Sequence, residues 1–84
     1  MKLIFSQNAW NDYLHWQKND QKVLKRINQL ITEIQHSPSK GIGKPERLKY
    51  ALAGYWSRRI NNEQRIVYRT DNKAVFIAQL RYHY

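Results

Sequence analysis

Apolar residues recur at helical spacing through the first part of this chain and at strand spacing after residue 54. Val23, Leu24, Ile27, Leu30, Ile31 and Ile34 fall on one helical stripe, while Lys22, Lys25, Arg26, Gln29 and Glu33 fall elsewhere. Asp20 can cap the start of this helix, and Ser37-Pro38 ends it, because proline pushes the preceding residue out of the helical region. Upstream, Trp10, Tyr13 and Leu14 repeat at helical spacing behind a Ser6 cap, through about residue 18. Lys2-Leu3-Ile4-Phe5 reads as a first strand. Residues 39–54 are loop-rich, punctuated by Gly41, Gly43, Pro45 and Gly54. Tyr55–Ile60, Gln64–Thr70 and Ala74–Tyr82 then read as strands, split by Asn61-Asn62 and Asp71-Asn72, residues that tolerate tight hairpin turns. The predicted order is β-α-α-β-β-β, with room for one more strand. That is an α+β fold with a helical hairpin on one face of a small antiparallel sheet.

Strand alternation sorts the later residues onto two faces. In the last strand Phe76, Ala78 and Leu80 share one face, and Val75, Ile77, Gln79, Arg81 and His83 share the other. In the strand before it, Ile66 and Tyr68 alternate with Arg65, Val67 and Arg69. Aligning the apolar faces puts Arg65, Arg69, Arg81 and His83 on the side without helices. That alignment requires an odd-numbered loop at Asp71-Asn72 or a bulge. A three-residue loop, Asn61-Asn62-Glu63, places Arg59 opposite Arg65. Arg58 then points toward the helices, with only a snorkelling stem to account for it.

Composition narrows the function. Eighty-four residues make one domain, 1–84. There is no cysteine, hence no disulfide framework and no thiolate metal site. No run approaches the ~18 apolar residues of a membrane span, and Leu3-Ile4-Phe5 is too short for a signal-peptide core, so a cytoplasmic protein is expected. Fifteen Lys+Arg against six Asp+Glu leave +9. Residues 43–84 hold nine basic and three acidic residues, net +6, so the surplus concentrates in the strand half. A basic, aromatic-rich domain suits a polyanion, nucleic acid first, although charge also serves solubility alone.

The open face groups Arg59, Arg65 and His83, with Glu46 and Lys49 on the adjoining segment. Like charges opposed across strands destabilise a sheet, so paired arginines suggest an anion between them, and guanidinium forks match phosphate oxygens. Glu46 can accept a proton, and His83 can donate one near neutral pH. In RNA the 2′-OH is a nucleophile already attached beside its target phosphorus. A base, a cation cluster and an acid are the parts of a metal-free cleavage. Plainer roles stand beside these: a solvated turn for Glu46 and a frayed chain end for His83. His15 and His36 read as structural, and three scattered histidines without carboxylates at ligand spacing give no metal site.

Four motifs occur in order: Gly43-Lys44-Pro45-Glu46-x-Leu48-Lys49, Gly54-x-Trp56-Ser57-Arg58-Arg59-Ile60, Glu63-x-Arg65-Ile66-Val67-Tyr68 and Arg81-Tyr82-His83-Tyr84. With the opening Met1-Lys2-Leu3-Ile4 and Trp10-x-Asp12-Tyr13, the whole chain resembles the YoeB toxins of the RelE superfamily. The resemblance implies a bacterial type II toxin that cleaves messenger RNA in the A site of the 70S ribosome, without a cofactor. Its ends would be 2′,3′-cyclic or 3′-phosphates, a YefM-type antitoxin would neutralise it, and it would be a homodimer. Carried over by residue, Glu46 would be the general base, His83 the general acid and Arg65 the phosphorane-stabilising group. Lys49 and Arg59 would assist, and Tyr84 would shape the pocket beside the leaving group. Gln64 departs from the histidine that relatives often carry there. Two alternatives use the same features: a ParE-type toxin that binds DNA gyrase, and a non-catalytic RNA-binding module. A binder needs the arginine, but not the acid and base.

Overall fold

Two side-chain caps set the helical hairpin. Ser6 Oγ accepts from the amide of Ala9 (2.9 Å), and Asp20 Oδ1 accepts from Lys22 and Val23 (3.1 and 3.2 Å). These caps satisfy donors that the first helical turn leaves open. The computed structural model describes residues 1–83, and of His83 the backbone alone. Its elements are β1 (Lys2–Phe5), α1 (Gln7–Asn19), α2 (Gln21–His36), β2 (Glu46–Arg47), β3 (Trp56–Arg59), β4 (Gln64–Thr70) and β5 (Ala74–His83), with a 3-10 turn at Tyr50–Leu52. The α2 stripe is the centre of the core. Val23, Ile27, Leu30, Ile31 and Ile34 are buried against Ile66, Tyr68, Val75, Ile77 and Leu80. Each such aliphatic contributes roughly 1.5–3 kcal/mol when removed from water. In α1 the expected stripe is displaced. Trp10 and Leu14 stay exposed, while Ala9 and Asp12 are buried and Tyr13 and Trp16 pack on the core.

The sheet order is β1-β5-β4-β3-β2. Pairs among β2 to β5 are antiparallel, but β1 runs parallel to β5, from Lys2 beside Ala74 to Phe5 beside Ile77. The sheet is therefore mixed rather than antiparallel. Between β1 and β5 the chain makes the long crossover that parallel pairing demands. Arg59 pairs with Arg65, and Ile60 N donates to Gln64 O (2.9 Å), which leaves the three-residue loop expected at 61–63.

The expected slip between β4 and β5 arises in the strands and not in the loop. Asp71 N donates to Ala74 O (3.1 Å), and the Asp71 carboxylate accepts from Lys73 N (2.7 Å) and Ala74 N (2.9 Å), so Asn72-Lys73 is an even, two-residue turn. Those amide bonds hold the Asp71 carboxyl below its usual pKa. The register then shifts between Arg65 and Val67 and again between Val67 and Tyr68. Before the shifts, the alternation is the reverse of the one expected. Val75 and Ile77 are buried, and Phe76 lies on the open face with the Arg69 guanidinium 3.9 Å from its ring centroid. After them Leu80 is buried, as expected. Arg81 does not join the open face; its guanidinium lies 5.8 Å from the Trp16 ring of α1. Irregular pairing leaves backbone groups without ladder partners, and α1 supplies them. Leu80 N donates to Asp12 Oδ2 (3.0 Å), and Trp16 Nε1 donates to Leu80 O (2.8 Å).

Arg58 corrects another expectation. It does more than snorkel, being fully buried. Its guanidinium donates to the carbonyls of Ser37, Lys40 (2.8 Å) and Ile42 (3.2 Å), and its Nε donates to the Tyr68 hydroxyl (3.0 Å). Tyr68 in turn donates to Pro38 O (2.7 Å). Burial pushes the Tyr68 hydroxyl above its usual pKa, against the opposing pull of Arg58. Ser37 closes the C-terminal end of α2, where carbonyl dipoles favour a cation. Arg58 thus ties the segment leaving α2 to the middle of the sheet.

Candidate active site

Glu46 pairs with Ser57, and Ser57 with Val67; two residues further along β3, Arg59 pairs with Arg65, and Arg65 with Tyr82. Cross-strand partners share a face. Glu46, Ser57, Arg59, Arg65 and Tyr82 therefore stand together on the side away from the helices. Arg65 is only 4% exposed. Its Nε donates to Ser57 Oγ (2.9 Å), and its Nη2 lies 3.4 Å from Glu46 Oε1. A buried guanidinium needs such partners to offset its lost hydration. The two opposed arginines are thus unequal: Arg65 is answered by Glu46, and Arg59 is exposed.

The segment carrying Glu46 is pinned at both ends. Gly43 O accepts from Arg59 N (2.6 Å), and Leu48 N donates to Tyr55 O (2.9 Å). Gly43 sits at φ +82, and a Cβ there would meet Leu30 Cδ2 at 2.9 Å and Arg59 O at 3.1 Å. Both the left-handed backbone and the close approach require glycine. Lys49 is exposed and leads into the 3-10 turn. With Glu46, Leu48, Tyr50, Leu52 and Tyr82 it lines an open concavity of about 390 Å³.

Among the residues expected here, Glu46, Arg59 and Arg65 share the face, and Lys49 shares the concavity with Glu46. Arg69 is on the same face but stacks on Phe76. The expected open-face placement of the His83 side chain, like all of Tyr84, lies outside the described residues; the His83 backbone pairs with Gln64, one step beyond the Arg65–Tyr82 pair. Two participants had no role in the sequence reading. Ser57 was available from alternation with Arg59 along β3, whereas Tyr82 was hidden by the register shifts. Among the described residues no group of three or more His, Cys, Asp or Glu could hold a metal. A carboxylate touching an arginine, beside a lysine in an open basic hollow, can take up a proton next to a bound phosphate.

The architecture is that of RelE-like toxins. YafQ from Escherichia coli, 16% identical, superposes with a TM-score of 0.81 over 95% of this chain and 90% of that one, a likeness of fold alone. Nearer is a YoeB/ParE toxin from Agrobacterium tumefaciens, 44% identical with a TM-score of 0.95, each chain covered in full. A YoeB dimer from Staphylococcus aureus is 47% identical, with a TM-score of 0.94 over 100% of this chain and 98% of that one. Toxin YoeB of Escherichia coli K12 is 50% identical over 84 residues, again the whole of both chains. Residues 5–84 match the family described as the YoeB-like toxin of bacterial type II toxin-antitoxin systems, and the chain belongs to that family.

Proposed function

We propose that this toxin is a ribosome-dependent endoribonuclease that cuts messenger RNA in the A site by metal-free acid–base chemistry. The observation that carries the reading is the Glu46–Arg65 contact of 3.4 Å at a hollow that Lys49 also lines. Glu46 takes the proton of a 2′-OH, and the oxygen attacks the adjacent phosphorus. Arg65 and its Ser57 support hold the negative charge of the phosphorane, a pre-set cation of the kind whose strength grows with that charge. His83 protonates the departing 5′-oxygen as the P–O bond breaks, leaving a 2′,3′-cyclic phosphate and a 5′-hydroxyl. Lys49 and Arg59 hold flanking phosphate oxygens, and Tyr84 shapes the leaving-group side.

The partners follow the same logic. A basic catalytic face must be silenced in the cytoplasm of the cell that makes it, and an acidic, partly disordered YefM-type antitoxin tail would fold across it. The Staphylococcus aureus relative, seen as a dimer and as a heterotetrameric YoeB–YefM complex, supports both an antitoxin and a homodimer here. Primer extension on a translated message, with and without purified toxin, tests the activity. New 5′ ends inside codons are expected with the natural chain and should fall by about 10²–10⁴-fold with Glu46→Gln or His83→Ala. Wild-type cleavage by both variants would overturn the assignment.

A further inference from the structure

Tyr50 is 94% exposed, whereas no other large apolar side chain among the described residues exceeds 48%. It also holds φ 58, a left-handed backbone that a bulky side chain adopts only under strain. Glycine, asparagine or aspartate would satisfy the same turn with less strain. The conformation is nevertheless fixed by the backbone around it. Leu52 N donates to Lys49 O (3.2 Å), Ala53 N to Tyr50 O (3.0 Å) and Tyr55 N to Leu52 O (3.0 Å). The ring thus stands on a braced turn and lines the same concavity as Glu46, Lys49 and Tyr82.

We propose that Tyr50 is a stacking platform for the message nucleobase beside the scissile phosphate, an inference that rests on the ribonuclease reading above. Single-stranded RNA is gripped through its phosphates by cations and through its bases by aromatic faces. Lys49 and Tyr50 offer that cation and that face from adjacent residues, next to Glu46. Holding the base restrains the ribose, and with it the 2′-OH, in line for attack.

Single-turnover cleavage of ribosome-bound messages that differ only in the base at the cut tests this. Tyr50→Ala and Tyr50→Gly should lower the saturated rate by about 5- to 150-fold, the range expected for losing one stacked base. Tyr50→Phe and Tyr50→Trp should stay within about threefold of the natural chain, because each keeps an aromatic face. The loss should be larger at purines, whose stacking faces are wider. Tyr50→Gly also relieves the left-handed strain, so its unfolding temperature should hold or rise while its activity falls; a merely structural tyrosine would move both together. Wild-type rates for the Ala and Gly variants, with Glu46→Gln inactive in the same assay, would overturn this inference alone. A loss independent of the base would likewise overturn a message-base platform. Full activity of Glu46→Gln would overturn the ribonuclease reading and this inference with it.

Discussion

Two arginines one position apart on β3 receive opposite treatment, and their neighbours explain why. Arg59 alternates outward to solvent, and Arg58 turns inward to three carbonyls and a tyrosine hydroxyl. Arg58 has no carboxylate among those partners. Its charge is met by carbonyl dipoles at the end of α2, and its planar fork serves several acceptors at once, which a lysine cannot do. Replacing it with methionine would keep much of the stem but orphan the carbonyls and take one of two partners from the Tyr68 hydroxyl, which still donates to Pro38 O. Each buried carbonyl left without a donor costs about 1–3 kcal/mol, so losing several takes a large share of the roughly 5–15 kcal/mol that holds a domain folded. Urea unfolding of Arg58→Met should therefore show a much lower midpoint, and Arg58→Lys should recover less than half of the loss. A methionine variant as stable as the natural chain would mean that the carbonyls find other partners, and Arg58 would lose its place as the tie between α2 and the sheet.

At the scale of elements, the end of β5 depends on α1. The register shifts leave the Leu80 amide and carbonyl for Asp12 and Trp16, one helical turn apart. Asp12→Ala would leave a buried amide unpaired, at a cost of about 1–3 kcal/mol, equivalent to roughly 4–8 °C per kcal/mol in a domain of this size. Asp12→Asn keeps an acceptor and should lose less than half as much. Because Leu80 stands two residues before Tyr82, the alanine variant should also slow cleavage by more than its unfolded fraction explains; activity tracking stability alone would show that α1 does not position this strand. The same device marks where the sequence ceased to be legible. Helix α2, strand β4 and the Arg59–Arg65 pairing follow from local periodicity, since each repeats one spacing without interruption. Alternation alone puts Val75 and Phe76 on the wrong faces, because it propagates through a strand only until a bulge resets it. Asp12, one of many polar residues on α1, gives no sign in the sequence that it meets the Leu80 amide. The parallel placement of β1 had no local trace, because it depends on a partner more than seventy residues away.

For the whole molecule, charge and site supply different things. A net +9 draws the protein toward any polyanion, so the charge alone cannot choose messenger RNA over other nucleic acid. Under the proposed reading, selection would fall to the ribosome, presenting a bent message to the face built from β2, β3, β4 and β5. Free RNA should accordingly be bound weakly and cut far more slowly than translated RNA. Its binding isolates the electrostatic part when measured with the Glu46→Gln protein, expected to cleave poorly, and a single-stranded oligonucleotide. Each phosphate contact on a single strand contributes about 0.7 to the slope of log affinity against log salt. Lys49 and Arg59 are exposed beside the site, and replacing both with glutamine should flatten that slope by about 1.4, two contacts' worth. Replacing Lys18 and Lys25, exposed cations on the helical side, should change it by less than half as much. Equal flattening by both pairs would mean that RNA finds no preferred face on this protein and that its affinity comes from net charge alone.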